Sequence, residues 1–124
     1  MKIAIASDDQ YKISPHLGRT KGFVIVDIEK GKVRGRTYRK NNFSVHRKGL
    51  RDNDPEPGRH VPILAELKDC RVLISHGMGR RLINDLNVSG IETFLTTEEL
   101  VTKALKLFIE GKLDNNPELG CIHD

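Results

Sequence analysis

The chain has 124 residues, with 37% of the AVILMFWYC set, 31% charged residues and a formal net charge of +4. That is one domain's worth of sequence, able to bury a modest core under a well-solvated surface. No apolar run approaches the roughly 20 residues of a bilayer span, the amino terminus turns polar at Ser7 too soon for a signal peptide, and two cysteines do not make a disulfide framework. The sequence therefore predicts a soluble cytoplasmic protein with no membrane association.

Residues 2–6 alternate and stop at Ser7-Asp8-Asp9, which predicts a first strand ending in a polar loop. Residues 22–28 are β-branched and apolar on both faces, as in a strand covered on both sides. Lys30-Gly31 marks a tight hairpin turn into a third, basic strand over 33–40. Residues 41–59 hold Asn41-Asn42, Gly49, Asp52, Pro55, Pro57 and Gly58 and read as one long loop.

Pro62 suits a first helical turn, and Val61, Leu64, Ala65 and Leu67 give that helix an apolar stripe. A strand over 71–75 is followed by Gly77-Met78-Gly79 and a helix over about 80–87, with Gly90 past its end. Residues 91–95 form a fifth strand. Thr96 or Thr97 is the expected cap of a third helix, whose buried face is Leu100, Val101, Ala104, Leu105, Phe108 and Ile109. The order predicts an α/β sheet, antiparallel at its start and parallel after it. Residues 1–113 form the domain and 114–124 a flexible tail.

Strand direction carries the functional expectation. With the first strand up, the third, fourth and fifth also point up, and their carboxyl ends form the edge where open α/β sheets bind ligands. His16 in the first loop, His46 in the long loop, His60 before the first helix and His76 at the end of the fourth strand all map to that rim. Imidazoles converging from separate segments are candidate ligands for a metal or metallocluster. Gly77 and Gly79, ahead of Arg80 and Arg81, offer backbone N–H groups and cationic charge to an anion. Cys121 and His123 on the tail are further metal-ligand candidates, within about 40 Å of reach from residue 113.

Nine of the 21 basic residues lie between Lys30 and Arg51 with no acidic residue among them, leaving 12 basic against 17 acidic elsewhere. Such a patch fits either a charged edge strand or an anionic partner. A nucleic-acid-binding module on 30–51 is accordingly an alternative function, backbone-directed because only Tyr38 and Phe43 could stack on bases. A ribonuclease H-type nuclease ranks last, because it needs clustered carboxylates around Mg²⁺ and the rim offers only Asp8 and Asp9.

Residues 1–7, Ile13-Ser14-Pro15-His16-Leu17-Gly18-Arg19, Phe23 to Asp27, Leu73 to Arg81 with its His76-Gly77-Met78-Gly79 core, and the helix running into Gly111-Lys112-Leu113 resemble the dinitrogenase iron-molybdenum cofactor biosynthesis family. These are small cluster-binding proteins that include nitrogenase accessory carriers. The resemblance implies a ribonuclease H-like three-layer α/β/α fold with a five-stranded mixed sheet. It further implies binding of an iron-sulfur or iron-molybdenum cluster at the rim, for assembly or delivery to an acceptor protein, without catalysis. His16, His60 and His76 are then ligands, and Arg19, Arg80 and Arg81 partners of the cluster's negative charge. Many relatives carry glycine where His76 stands, and a histidine-rich segment where this chain has only His46.

Overall fold

A computed structural model of the chain describes residues 1–15, 17, 20–40 and 61–116, the side chains of 61–63 excepted. Its elements are β1 (Lys2–Ala6), β2 (Gly22–Glu29), β3 (Lys32–Lys40), α1 (Val61–Glu66), β4 (Val72–Ser75), α2 (Arg80–Val88), β5 (Glu92–Leu95) and α3 (Val101–Ile109). The five strands make one sheet in the order β3-β2-β1-β4-β5. β2 is antiparallel to β1 and β3, while β1, β4 and β5 are mutually parallel. The expected mixed α/β sheet is therefore present, with β2 alone running against the rest.

The period of the strands sorts the core into two layers. Ala4, Ala6, Phe23, Ile25 and Leu73 face one side, where Leu64 of α1 and Leu82, Ile83 and Leu86 of α2 close over them. Ile3, Ile5, Val24, Val26, Val72 and Ile74 face the other, under Val101, Ala104, Leu105 and Phe108 of α3. Each fully buried aliphatic side chain contributes about 1.5–3 kcal/mol. Helices on both faces explain why β2 is apolar at consecutive positions.

The turn between β2 and β3 has φ of 52° at Lys30 and 76° at Gly31, two left-handed residues in succession as a primed hairpin turn requires. β3 is an edge strand, exposed along most of its length. Its ladder with β2 skips Arg34, since Asp27 pairs with Gly35 and Ile28 with Val33. The basic strand is thus both charged and bulged at the edge, two devices against edge-to-edge pairing.

α3 starts later than the sequence suggested. Leu100 forms a β-bridge with Lys12 and is extended at φ −99°, ψ 133°, which delays the helix to Val101. Thr96 and Thr97 consequently do not cap it.

Candidate functional site

The rim begins at the end of β1. Ser7 is fully buried; its hydroxyl donates to the Lys12 carbonyl (2.6 Å) and accepts from the Gln10 amide (2.8 Å). Asp9 Oδ1 accepts from the amides of Tyr11 and Lys12, both at 2.9 Å, and these bonds hold its carboxyl below the ordinary value. Asp8 Oδ1 accepts from the Lys21 amide at 2.8 Å. Both carboxylates that a nuclease would have offered to Mg²⁺ are therefore engaged in shaping this loop.

Beside it, β4 delivers His76 from a fully buried strand to a half-buried position at its carboxyl end. His76 Nε2 lies 2.6 Å from the Glu98 carbonyl oxygen. A carbonyl only accepts, so Nε2 carries the hydrogen, and the lone pair of the neutral ring is on Nδ1. The following turn is fixed from three sides. Gly77's carbonyl accepts from the Leu17 amide (3.2 Å) and the Ser75 hydroxyl (3.2 Å), Met78 is only 1% exposed, and Gly79's carbonyl accepts from the Ile83 amide (3.0 Å). The Leu17 bond ties the loop between β1 and β2 to the turn after β4. Arg80 and Arg81 open α2 at the surface, with Arg81 engaged in an interaction of its own.

The chain returns to this edge after α3. Leu113 is buried in the α3-side core. Asp114 then accepts from the Thr96 hydroxyl through Oδ1, and through Oδ2 from the Thr97 amide (3.0 Å), the Thr97 hydroxyl (2.9 Å) and the Asn116 side-chain amide (2.6 Å). Burial by itself would raise the Asp114 pKa, but the donors outweigh it and hold the carboxyl at about 2. Asn115 accepts from the Leu95 amide at 3.0 Å and donates to the Thr93 carbonyl at 3.2 Å, while the Asn116 amide donates to the Leu95 carbonyl at 2.8 Å. Sequence reading missed this clasp, although the dense set of short hydrogen-bonding side chains in Asp-Asn-Asn is a signal that could have found it.

Cys70 is buried in the core on the α1 and α2 side, and burial pushes its thiol up to about 11. Among the described residues no three His, Cys, Asp or Glu side chains group closely enough to hold a metal ion. Of the residues singled out from sequence, His76, Gly77, Gly79, Arg80 and Arg81 come together on the β4–α2 turn; His16, Arg19, His46, His60, Cys121 and His123 lie outside the described residues. Among the described residues no helix is long and apolar enough to cross a membrane.

Comparison with known proteins gives this geometry a family. MJ0580 of Methanocaldococcus jannaschii, an uncharacterized protein, is 27% identical over 114 residues, covering 92% of this chain and 90% of its own. The crystal structure of PH0822 matches with a TM-score of 0.72 at 26% identity, over 96% of this chain and 99% of that one. The apo form of the orange protein from Desulfovibrio gigas shares the fold, with a TM-score of 0.69 at 21% identity over 94% of this chain and 92% of that one. The family described as dinitrogenase iron-molybdenum cofactor matches residues 1–111, and the chain belongs to it.

Proposed function

We propose that this protein binds an anionic metallocluster of the iron-sulfur or iron-molybdenum type as cargo, for assembly or delivery to an acceptor protein in the cytoplasm, and catalyses no reaction. The observation that carries the reading is the placement of His76. Its ring is held through Nε2, its Nδ1 lone pair is the ligand atom, and it stands on a turn that leads into the amino terminus of α2, where N–H groups and arginines favour negative charge. Membership of the iron-molybdenum cofactor family supports the same cargo.

The donor set suits a cluster that brings its own sulfides. The one described thiol is buried in the core before the start of β4, at the end opposite His76, so the described residues do not supply the rim with the thiolates that hold a resident iron-sulfur centre. A preformed cluster needs less from the chain, namely one or a few imidazoles and hydrogen-bond donors around its anionic surface. In this reading His16, His60, His46, Cys121 and His123 are the additional ligands, and Arg19, Arg80, Arg81 and the Gly77 and Gly79 turn face the cluster's charge. The domain spans 1–113 with a ribonuclease H-like fold put to binding, since Asp8 and Asp9 are taken up by backbone amides.

The basic strand is better accounted for as a guarded sheet edge than as a nucleic-acid interface. Arg39 is paired with Asp69, Arg34 lies 3.7 Å from Glu29, and Arg36 donates to the Gln10 carbonyl at 2.8 Å. Anaerobic incubation with ferrous iron and sulfide, with and without molybdate, followed by desalting, an absorption spectrum and a metal count, tests the proposal. The protein is expected to retain a coloured cluster, and His76→Ala to retain several-fold less. A colourless, metal-free wild type would overturn the reading, and equal retention by H76A would remove His76 from it.

A further inference from the structure

We propose that Asp114 is a positioning residue for His76: by clamping Thr96 and Thr97 it fixes the loop whose Glu98 carbonyl holds the imidazole by Nε2–H and turns Nδ1 toward the ligand. The value of that arrangement to a cargo rests on the reading of His76 as a ligand, but the positioning is a property of the chain alone.

Residues 96–100 join β5 to α3 without regular structure apart from the Leu100 bridge. A carbonyl on such a segment would ordinarily be a poorly fixed acceptor. Here the peptide groups on both sides of Glu98 are tied. The Thr96 hydroxyl gives its proton to Asp114 Oδ1, which can only accept, and so presents a lone pair to the Glu98 amide at 3.0 Å. Thr97 gives both its amide and its hydroxyl to Asp114 Oδ2. Beyond Glu98, the amides of Glu99 and Leu100 donate to its own carboxylate at 3.0 and 3.2 Å. The carbonyl between these ties is the one His76 meets.

Asp114 is anchored in turn by buried Leu113 on one side and by the Asn115 and Asn116 bonds to β5 on the other. One carboxylate just past the last helix thus reaches, through two threonines and one peptide carbonyl, the side chain at the end of β4. An imidazole without a fixed acceptor exchanges between its two neutral tautomers and turns about its side-chain bonds; an oriented carbonyl selects one nitrogen for the hydrogen and the other for the metal. Partners of this kind commonly change metal affinity about 10–100-fold.

The test uses the full chain, metal-free and labelled with ¹⁵N-histidine, at about pH 8.5, where a histidine ring is ordinarily neutral. Long-range ¹H–¹⁵N correlation should show His76 as the Nε2–H tautomer in the wild type. In Asp114→Asn, where one accepting oxygen becomes a donor, and in Thr97→Val, which keeps the shape but removes one donor, the His76 signals should shift toward a mixture of tautomers. Thr97→Val serves if Asp114→Asn does not fold. His76 resonances unchanged in a folded variant would overturn the proposal. A shifted tautomer in a protein that never retains a cluster would leave the positioning intact and remove the cargo reading instead. Where the wild type does retain a cluster, iron retention by Asp114→Asn should fall, though by no more than in His76→Ala, and retention equal to wild type would overturn the role in ligand presentation.

Discussion

At Gly22 the first residue of β2 lies directly against the ring of Tyr38 on the neighbouring strand. A Cβ added there would stand 2.5 Å from Tyr38 Cζ and hydroxyl and 2.8 Å from the Arg39 carbonyl oxygen, which is backbone and cannot swing aside. The ring is itself held, because its hydroxyl donates to the Ser7 carbonyl at 2.9 Å. Gly22→Ala should therefore cost about 1–3 kcal/mol, the usual range for overpacking, whereas Gly35→Ala, with nothing within 4 Å, should be near neutral. Urea denaturation of the two variants checks this, and equal midpoints would show that Tyr38 moves away without penalty. The two glycines look alike in the sequence. Lys30-Gly31 was legible because its demand is a local backbone angle, but the demand at Gly22 comes from a ring sixteen residues away that only pairing brings near.

Among the elements, α1 is short, and among the described residues Arg39 of the edge strand ties to its end. Arg39 donates to the Glu66 carbonyl at the end of α1 (2.7 Å) and binds Asp69 with both terminal nitrogens at 3.0 Å, with Lys2 at 3.5 Å from the same carboxylate. The Arg39 guanidinium holds the Asp69 carboxyl well below the usual carboxylate range, and Arg39 is itself raised by the same pairing. Asp69 is 39% exposed, so solvent screening keeps the pair to about 1 kcal/mol or less. Because the folded pKa is depressed, the contribution is complete above the unfolded value of about 3.9 and is lost as pH falls toward the folded one. Asp69→Asn should be less stable than wild type at pH 7, and the gap should narrow as acid is added below about pH 4. A gap that is constant with pH would assign the loss to geometry rather than charge. Elements of this kind were read well where their period was strong, as in β2 and α2. The start of α3 was misplaced because Leu100 is committed to Lys12 across the molecule, and the 114–116 clasp was missed because its partners are the edge of β5 and two threonines seventeen or more residues away. Long-range ties of this kind leave no periodic trace. His76 was placed at the rim by strand direction alone, but the hydrogen bond that fixes the hydrogen on its Nε2 belongs to the loop before α3.

For the molecule as a whole, the uneven charge has a mechanical meaning. Five cations lie on β3, the exposed edge of the sheet, and outside residues 30–51 the chain is net acidic. Val33 is 46% exposed there and would suit a pairing strand if its neighbours did not repel one. Replacing Lys32, Arg34 and Lys40 together by threonine should raise self-association, read by sedimentation velocity over a range of concentrations. A variant that sediments like wild type at every concentration would deny the charges a guarding role. The opposite edge is in another condition. Asn115 and Asn116 occupy the outward amide and carbonyl of Leu95 and the carbonyl of Thr93, so a side-chain amide stands where the next strand would. A sheet with one blocked margin has a single free edge, and two such sheets meeting β3 to β3 about a twofold axis use it up. Unguarding β3 should accordingly give a closed pair, whose growth terminates at the first addition, in place of an open fibre.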